Sequence, residues 1–242
     1  MKKAKLTRRD MLTAGTTAAA TLMMGNVAAK AAQQGALDPA PTNPTTAVPV
    51  AFLLDERATM IDFAGPWEVL QDAGVAEVPG FELFTVAPSI KPFRVSGGMQ
   101  IVPDYTLENA PPAKVIIIPA QTGGRIPTPG SPKVGWLKER YSSADIIMSV
   151  CTGAFLLAQT GLLDGQNATT HHFYLDDFKK QFPRVGLLKN QRFVDNGKLI
   201  TAGGLSSGIE GALHIIHRYY GAQAAAKVAN YMEYVSHNWT DA

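Results

Sequence analysis

Asp145-Ile146-Ile147-Met148-Ser149-Val150-Cys151-Thr152-Gly153-Ala154-Phe155-Leu156-Leu157 is the stretch whose reading decides the fold. It begins as a short apolar, branched run and switches at Cys151 to a helical pattern of small and apolar residues. A buried strand that stops and turns straight into a helix is the geometry of a nucleophile elbow. Such a turn holds its side chain out at the carboxyl edge of the sheet, beside the unpaired N–H groups and positive dipole end of the helix. A thiol placed there is expected to lose its proton more easily than a free one. Cys151 is the only cysteine, so it has no intramolecular disulfide partner. A lone cysteine is equally a small buried hydrophobe, and the position alone leaves both readings open.

Working outward, Val48 to Leu54 and Val115 to Pro119 are near-continuous apolar runs, the composition of central strands buried on both faces. Phe81 to Ala87 adds a strand. Gly65-Pro66 is read as opening a helix that runs through Leu70 to about Ala73 and is closed by Gly74. Arg94 to Pro103 reads as a hairpin turning at Gly97-Gly98, and Arg192 to Thr201 as one turning at Asn196-Gly197. The loop from Ala120 to Gly130 is rich in Gly, Pro and Thr. Helical spacing is expected over Ser131–Ser142, from Cys151 to Gln159, from Tyr174 to about Phe182, and from about Ala222 to Val235. Gly161 to Gly165 makes a turn, and Ala168 to His171 a short strand. Ser207-Gly208-Ile209-Glu210 matches a capping box opening a long amphipathic helix through Leu213, Ile216 and Tyr220. Strands alternating with helices imply an α/β fold, with a mostly parallel sheet, helices on both faces and an inserted β-hairpin. Ligands of such sheets bind at the carboxyl ends of strands. That rule places the segment 54–62, the segment 119–124, Cys151 and His171 on one edge.

Residues 1–31 read as an export signal. Lys2, Lys3 and Lys5 precede Arg8-Arg9, a mild apolar run from Leu12 to Val27 follows, and Ala29-Lys30-Ala31 fits a cleavage site. Paired arginines before a weakly hydrophobic core are the twin-arginine form, so a periplasmic location is expected. Removing this leader takes six of the 22 basic residues and one of the 20 acids, which turns the formal +2 into −3. The basic balance therefore belongs to the leader and gives no support for nucleic-acid binding. Residues 32–47 read as a disordered linker, and residues 48–242 as one domain. No membrane contact is expected once the leader is removed.

Five stretches together resemble the ThiJ/PfpI superfamily, the class I glutamine amidotransferase-like proteins: Ile61–Leu70, Val150–Ala158, Gly161–Gly165, Ala168–His171, and Thr201-Ala202-Gly203-Gly204 through Gly208-Ile209. They cover nearly everything from Val48 to Tyr234. Within the superfamily the pattern is most similar to the isonitrile hydratase branch, shared with the sensor domain of some AraC-type regulators. The resemblance implies a flavodoxin-like three-layer sandwich, a homodimer, no cofactor, and a reaction carried by Cys151, Thr152 and the upstream acid Asp62. It also marks departures. Thr152 stands where protease-like members have His, His172 stands where Trp is usual, and Pro119-Ala120-Gln121 replaces Pro-Gly-Gly with Gly123-Gly124 displaced. The sequence holds no helix-turn-helix segment, and no nucleic-acid partner is expected.

Asp62 lies among apolar neighbours, where an acid keeps its proton. A protonated Asp62 is expected to hydrogen-bond to a Cys151 thiolate and to serve as proton donor, although an Asp shortly before a helix is also a common N-cap. The resulting expectation is a cysteine-dependent hydratase adding water to a small isonitrile to give an N-substituted formamide. The Thr152 N–H, with Ala120 or Gln121, would stabilise developing charge, while Gly65 and His171 would line the substrate pocket. No metal is expected from His171-His172, and His214 and His217 read as packing or surface residues. Two rivals stand beside this: another cysteine-dependent hydrolase or lyase on the same site, and a non-enzymatic ligand-binding or oxidation-sensing protein.

Overall fold

The architecture comes from a computed structural model describing residues 44–121, 128–236 and 239. The export signal, most of the linker, and Gly123-Gly124 lie outside the described residues. The apolar run at the start of the domain forms β1 (Val48–Leu53), and its side chains alternate between two cores. Val50 and Phe52 face one layer, Ala51 and Leu53 the other. The strands that follow are β2 (Phe81–Ala87), the pair β3 (Phe93–Arg94) and β4 (Gln100–Ile101), β5 (Tyr105–Thr106), β6 (Val115–Ile118) and β7 (Ile146–Val150). After these come β8 (Asn167–Ala168), β9 (Gly186–Leu187), β10 (Phe193–Asp195) and β11 (Leu199–Ala202). Among the described residues the main sheet has seven strands in the order β10-β11-β7-β6-β1-β2-β5. Every neighbouring pair in it is parallel except β10 with β11.

Among the described residues six α-helices cover this sheet: α1 (Met60–Gln71), α2 (Pro132–Arg140), α3 (Gly153–Gln159), α4 (Leu175–Gln181), α5 (Ser207–Tyr220) and α6 (Ala222–Tyr231). One core joins Phe52, Ile117 and Met148 to Val69 and Leu70 of α1, Leu213 and Ile216 of α5, and Ala225 and Val228 of α6. The other joins Leu53, Ile116 and Ile147 to Leu137 of α2, Phe155 of α3 and Phe178 of α4. This is the expected three-layer α/β sandwich. Both expected hairpins form, but β3–β4 is a separate two-stranded sheet, and only β10–β11 joins the main one.

The strand expected over Ala168–His171 is confined to Asn167–Ala168, and three further differences from the sequence reading have identifiable causes or contacts. The helix expected at Gly65-Pro66 starts at Met60, so Pro66 lies inside it. Its early start is held by tertiary partners: the Thr59 N–H donates to Ala120 O at 2.7 Å and the Met60 N–H to Ser96 Oγ at 2.8 Å. These satisfy N–H groups that a helix end leaves open. The capping box at Ser207 does not form. Ser206 is the N-cap, without a side-chain cap bond, and Glu210 is instead taken by Arg192, Tyr234 and Ser236. The last helix ends at Tyr231 rather than Val235, and Tyr234, Ser236 and Trp239 beyond it contact α5. There Trp239 O contacts His214 Nδ1 at 2.9 Å, and His214 Nε2 contacts Asp195 Oδ2 at 2.8 Å.

The elbow is packed against β6 through Gly153. A Cβ there would lie 2.1 Å from Ile118 O and 3.0 Å from Pro119 O, both backbone atoms that have no rotamer to escape into. Gly153→Ala is therefore expected to lower stability by about 3 kcal/mol or more. Gly135→Ala, on an open face of α2 with nothing within 4 Å of its added carbon, should raise stability by up to about 1 kcal/mol. Urea unfolding midpoints of the two variants check both.

Candidate active site

Cys151 is the residue at which β7 ends, and its φ is +58°, in the left-handed region that a side chain rarely adopts. Three backbone anchors hold it there. Its N–H is shared between Ala202 O at 3.2 Å and Gly203 O at 2.8 Å, and its C=O accepts from Thr170 Oγ1 at 2.8 Å. A residue held at a rarely populated angle by its surroundings is a candidate for a functional position. Thr152 follows as the N-cap of α3, making no side-chain cap bond.

Asp62 reaches the same point from α1. It sits in the first turn of the helix, three residues after the N-cap Thr59, so it is not the N-cap itself. Its carboxyl is fully buried. Oδ2 accepts the Ala120 N–H at 3.1 Å. Oδ1 completes no hydrogen bond of ordinary geometry, while the carboxyl interacts with the Cys151 thiol and the Leu205 N–H. The reactive candidates Cys151 and Asp62, far apart in the chain, are thus brought together at the carboxyl ends of β7 and β6.

Burial raises both of their proton affinities. Asp62 is pushed up to about 7 by desolvation, against the lowering effects of the Ala120 N–H, the thiol and the Leu205 N–H. Cys151 is pushed up to about 12 by desolvation and then by the neighbouring Asp62 charge, against the lowering effects of the Thr152 and Leu205 N–H groups. This corrects the expectation of an easily ionised thiol. The elbow and its amides do favour the thiolate, but loss of water and a second acid in the same enclosure outweigh them. At neutral pH the shared proton stays on sulfur, and the carboxyl is the group that titrates.

The remaining expected residues divide. Ala120 touches the pair directly, but as the donor that holds Asp62, so its N–H is not free to meet substrate. Gln121 is buried, with Nε2 donating to Leu53 O and Oε1 accepting from Lys133, both at 3.3 Å. Gly65 serves packing: an added carbon would lie 3.0 Å from Ile209 Cγ1, so its absence lets α1 and α5 approach. His171 lines a cleft of about 310 Å³ together with Thr170, Arg192, Gly203, Leu205 and Ser206. Its Nδ1 accepts from the Phe173 N–H at 3.2 Å, and its ring stacks on His172 at 4.5 Å. Burial, then the nearby His172 charge, lowers its proton affinity. The cleft borders the elbow, because Thr170 and Gly203 bind the Cys151 backbone and Leu205 offers its N–H to the pair.

Leu205 is the residue that sequence reasoning missed. Its φ of +52° is again left-handed, and a leucine carries no sequence mark of that conformation. The one nearby signal was the Gly203-Gly204 pair before it. There a Cβ on Gly204 would lie 2.3 Å from His171 Cδ2, which shows how closely the two loops meet.

A mostly parallel α/β sheet with a left-handed cysteine at a strand-to-helix turn, faced by a buried carboxyl, defines a cysteine-elbow protein. Comparison with known proteins narrows this class. The family model for the DJ-1/PfpI family matches residues 48–218. Isonitrile hydratase of Pseudomonas putida is 31% identical over 189 residues, 78% of this chain and 79% of that one. The transcriptional regulator GbdR of Pseudomonas aeruginosa is 28% identical over 188 residues, and the chain spans about half of that regulator's length. Among solved structures, a ThiJ/PfpI family protein from Pseudomonas syringae superposes with a TM-score of 0.70 at 25% identity, covering 80% of this chain and 78% of that one. DJ-1beta of Drosophila melanogaster shares the fold with a TM-score of 0.67 at 21% identity, over 79% of this chain and all of that one. The chain belongs to the DJ-1/PfpI family.

The raised Asp62 carries a stability consequence. Its folded-state value of about 7 lies above the ordinary 3.8, so the folded protein binds the proton more tightly and the group destabilises the fold as pH rises from about 4 to 7. The full effect above pH 7 is on the order of a few kcal/mol. Asp62→Asn is therefore expected to raise the thermal midpoint at pH 8 and to leave it nearly unchanged at pH 4, measured by calorimetry at the two pH values.

Proposed function

We propose that the protein is a cysteine-dependent hydratase that adds water to a small isonitrile and releases an N-substituted formamide. The observation that carries this reading is the buried Asp62 carboxyl facing the Cys151 thiol at a strained elbow, with a proton affinity near neutrality. The similarity to isonitrile hydratase of Pseudomonas putida supports the substrate class.

In the proposed cycle Asp62, as carboxylate, takes the Cys151 proton while sulfur attacks the terminal carbon of the isonitrile. The new carboxylic acid then delivers that proton to the same carbon. One S–H bond has broken, one C–S and one C–H bond have formed, and a thioimidate remains on the enzyme. Asp62, ionised again, takes a proton from water as its oxygen adds to the thioimidate carbon, and nitrogen receives the proton. Cleavage of the C–S bond leaves the formamide carbonyl and returns the last hydroxyl proton to sulfur. The Thr152 and Leu205 N–H groups meet the negative charge that builds on sulfur when it is formed and when it leaves. One such donor is typically worth roughly 3 kcal/mol. This assigns to Leu205 the part first expected of Ala120 or Gln121. Cys151, Asp62 and Thr152 are the catalytic residues of the proposal, and the cleft bounded by His171 receives the substituent on nitrogen.

A thiol raised to about 12 and only 6% exposed is poorly disposed to oxidation by mild peroxide. That favours catalysis over the sensing role. A homodimer located in the periplasm remains part of the proposal, resting on the family resemblance and on the paired arginines of the leader.

The test is turnover of a panel of small alkyl isonitriles, followed by formamide appearance. Wild type is expected to be active, with kcat/KM rising through pH about 7 as Asp62 ionises. Cys151→Ala should show no formamide, and Asp62→Asn should lose about 100-fold or more in kcat. Formamide production by Cys151→Ala, or an amide hydrolysed faster than any isonitrile, would overturn the assignment.

A further inference from the structure

Lys133 occupies a place where a lysine is rarely found. It is the second residue of α2, in the first turn, where the helix dipole disfavours a cation. It is buried, and buried lysines occur almost only with partners. Its Nζ donates to Asp55 Oδ2 at 2.7 Å and to Gln121 Oε1 at 3.3 Å. Asp55 lies two residues beyond the end of β1 and Gln121 three beyond the end of β6, so one ammonium joins a helix to the carboxyl ends of two central strands. The Gln121 amide is held at both ends, because its Nε2 donates to Leu53 O.

This clamp adjoins the reactive pair. Gln121 is covalently next to Ala120. The Ala120 N–H lies on Asp62 Oδ2, and the Ala120 C=O receives the Thr59 N–H, the N-cap of the helix that bears Asp62. Both polar groups of Ala120 thus define where the carboxyl sits. In the sequence this segment is Pro119-Ala120-Gln121, and Gln121 supplies a side chain by which the segment can be gripped, as a glycine could not.

We propose that Lys133 is a positioning residue for the reaction: by gripping Gln121 and Asp55 it fixes the segment after β6, so that the Ala120 N–H stays on the Asp62 carboxyl and keeps it facing the Cys151 thiol. The proposal rests on the reading of Asp62 and Cys151 as the reactive pair. Asp62 is acted on by the thiol from the elbow, the Ala120 N–H from the segment after β6, and the Leu205 N–H from the loop before α5. Of these, the Ala120 N–H is the one Lys133 controls. Because that bond favours the ionised carboxyl, loosening it makes Asp62 harder to ionise.

The experiment is a carboxyl-carbon NMR titration of the full chain carrying carboxyl-labelled aspartate, with the Asp62 signal assigned by its loss in Asp62→Asn. Lys133→Met and Gln121→Ala are each expected to move the Asp62 midpoint to higher pH by about half a pH unit or more, and Lys133→Arg, which keeps charge and donors, by less. With an isonitrile substrate, kcat should fall in the first two while KM changes little. Gln121→Ala retains the Lys133–Asp55 ion pair and so remains informative if Lys133→Met does not fold. An unmoved Asp62 midpoint in folded Gln121→Ala, or in folded Lys133→Met as judged by urea unfolding, would overturn the proposal and leave Lys133 a stability residue. The titration needs no turnover. Absence of formamide from wild type would therefore count against the hydratase reading alone.

Discussion

Two acids enclosed in one small volume set the terms for everything around them. Asp62 and Cys151 are both nearly removed from water; burial raises the proton affinity of each, and the Asp62 charge raises that of Cys151 further, while the thiol's hydrogen bond partly lowers that of Asp62. A buried carboxyl with one oxygen incompletely satisfied is costly to the fold, and the structure arranges several elements to hold it. The helix bearing Asp62 starts early, on bonds from Thr59 and Met60 to other segments. The Ala120 amide, at the end of a central strand, is turned onto the carboxylate. The elbow is anchored through β11 by carbonyls of Ala202 and Gly203 and through the Thr170 hydroxyl. The sheet positions the chemistry by placing the ends of β6, β7 and β11 side by side in parallel register.

Much of this was legible in the sequence because it depends on local pattern. Branched apolar runs such as Val115 to Ile118 have few alternatives to a strand covered on both faces. The switch from strand to helix at Cys151, and the Asn196-Gly197 turn, are written in side-chain types that favour those conformations. The start of α1 was not legible. Gly65-Pro66 carries a strong local signal for a helix start, and it was overruled by tertiary bonds to Ala120 and Ser96. The same holds for Glu210, whose spacing from Ser207 suggests a local cap but whose partners arrive from Arg192, just before β10, and from the segment after α6.

The site shows a finer division. That Cys151 and Asp62 would meet followed from family resemblance and from the rule that ligands gather at strand ends. The order in which they give up protons did not follow, because it turns on how much water the folded chain leaves around each. A helix start lowers a thiol's proton affinity only when desolvation is slight, and here it is not. The Ala120 N–H was expected to face substrate and faces Asp62. Its place beside the sulfur is taken by Leu205, whose amide direction depends on a backbone angle that no leucine advertises.

Two side-chain-bearing residues, Cys151 and Leu205, adopt left-handed backbone angles beside the same carboxyl. At either position glycine would relieve the strain at once. Drift unopposed by a need for the sulfur and its facing amide would therefore favour glycine there. A descendant chain that had abandoned the chemistry could become sturdier by those exchanges while keeping its sheet unchanged. Cysteine and leucine are thus kept at these two angles by the contacts around them and not by any torsional preference of their own.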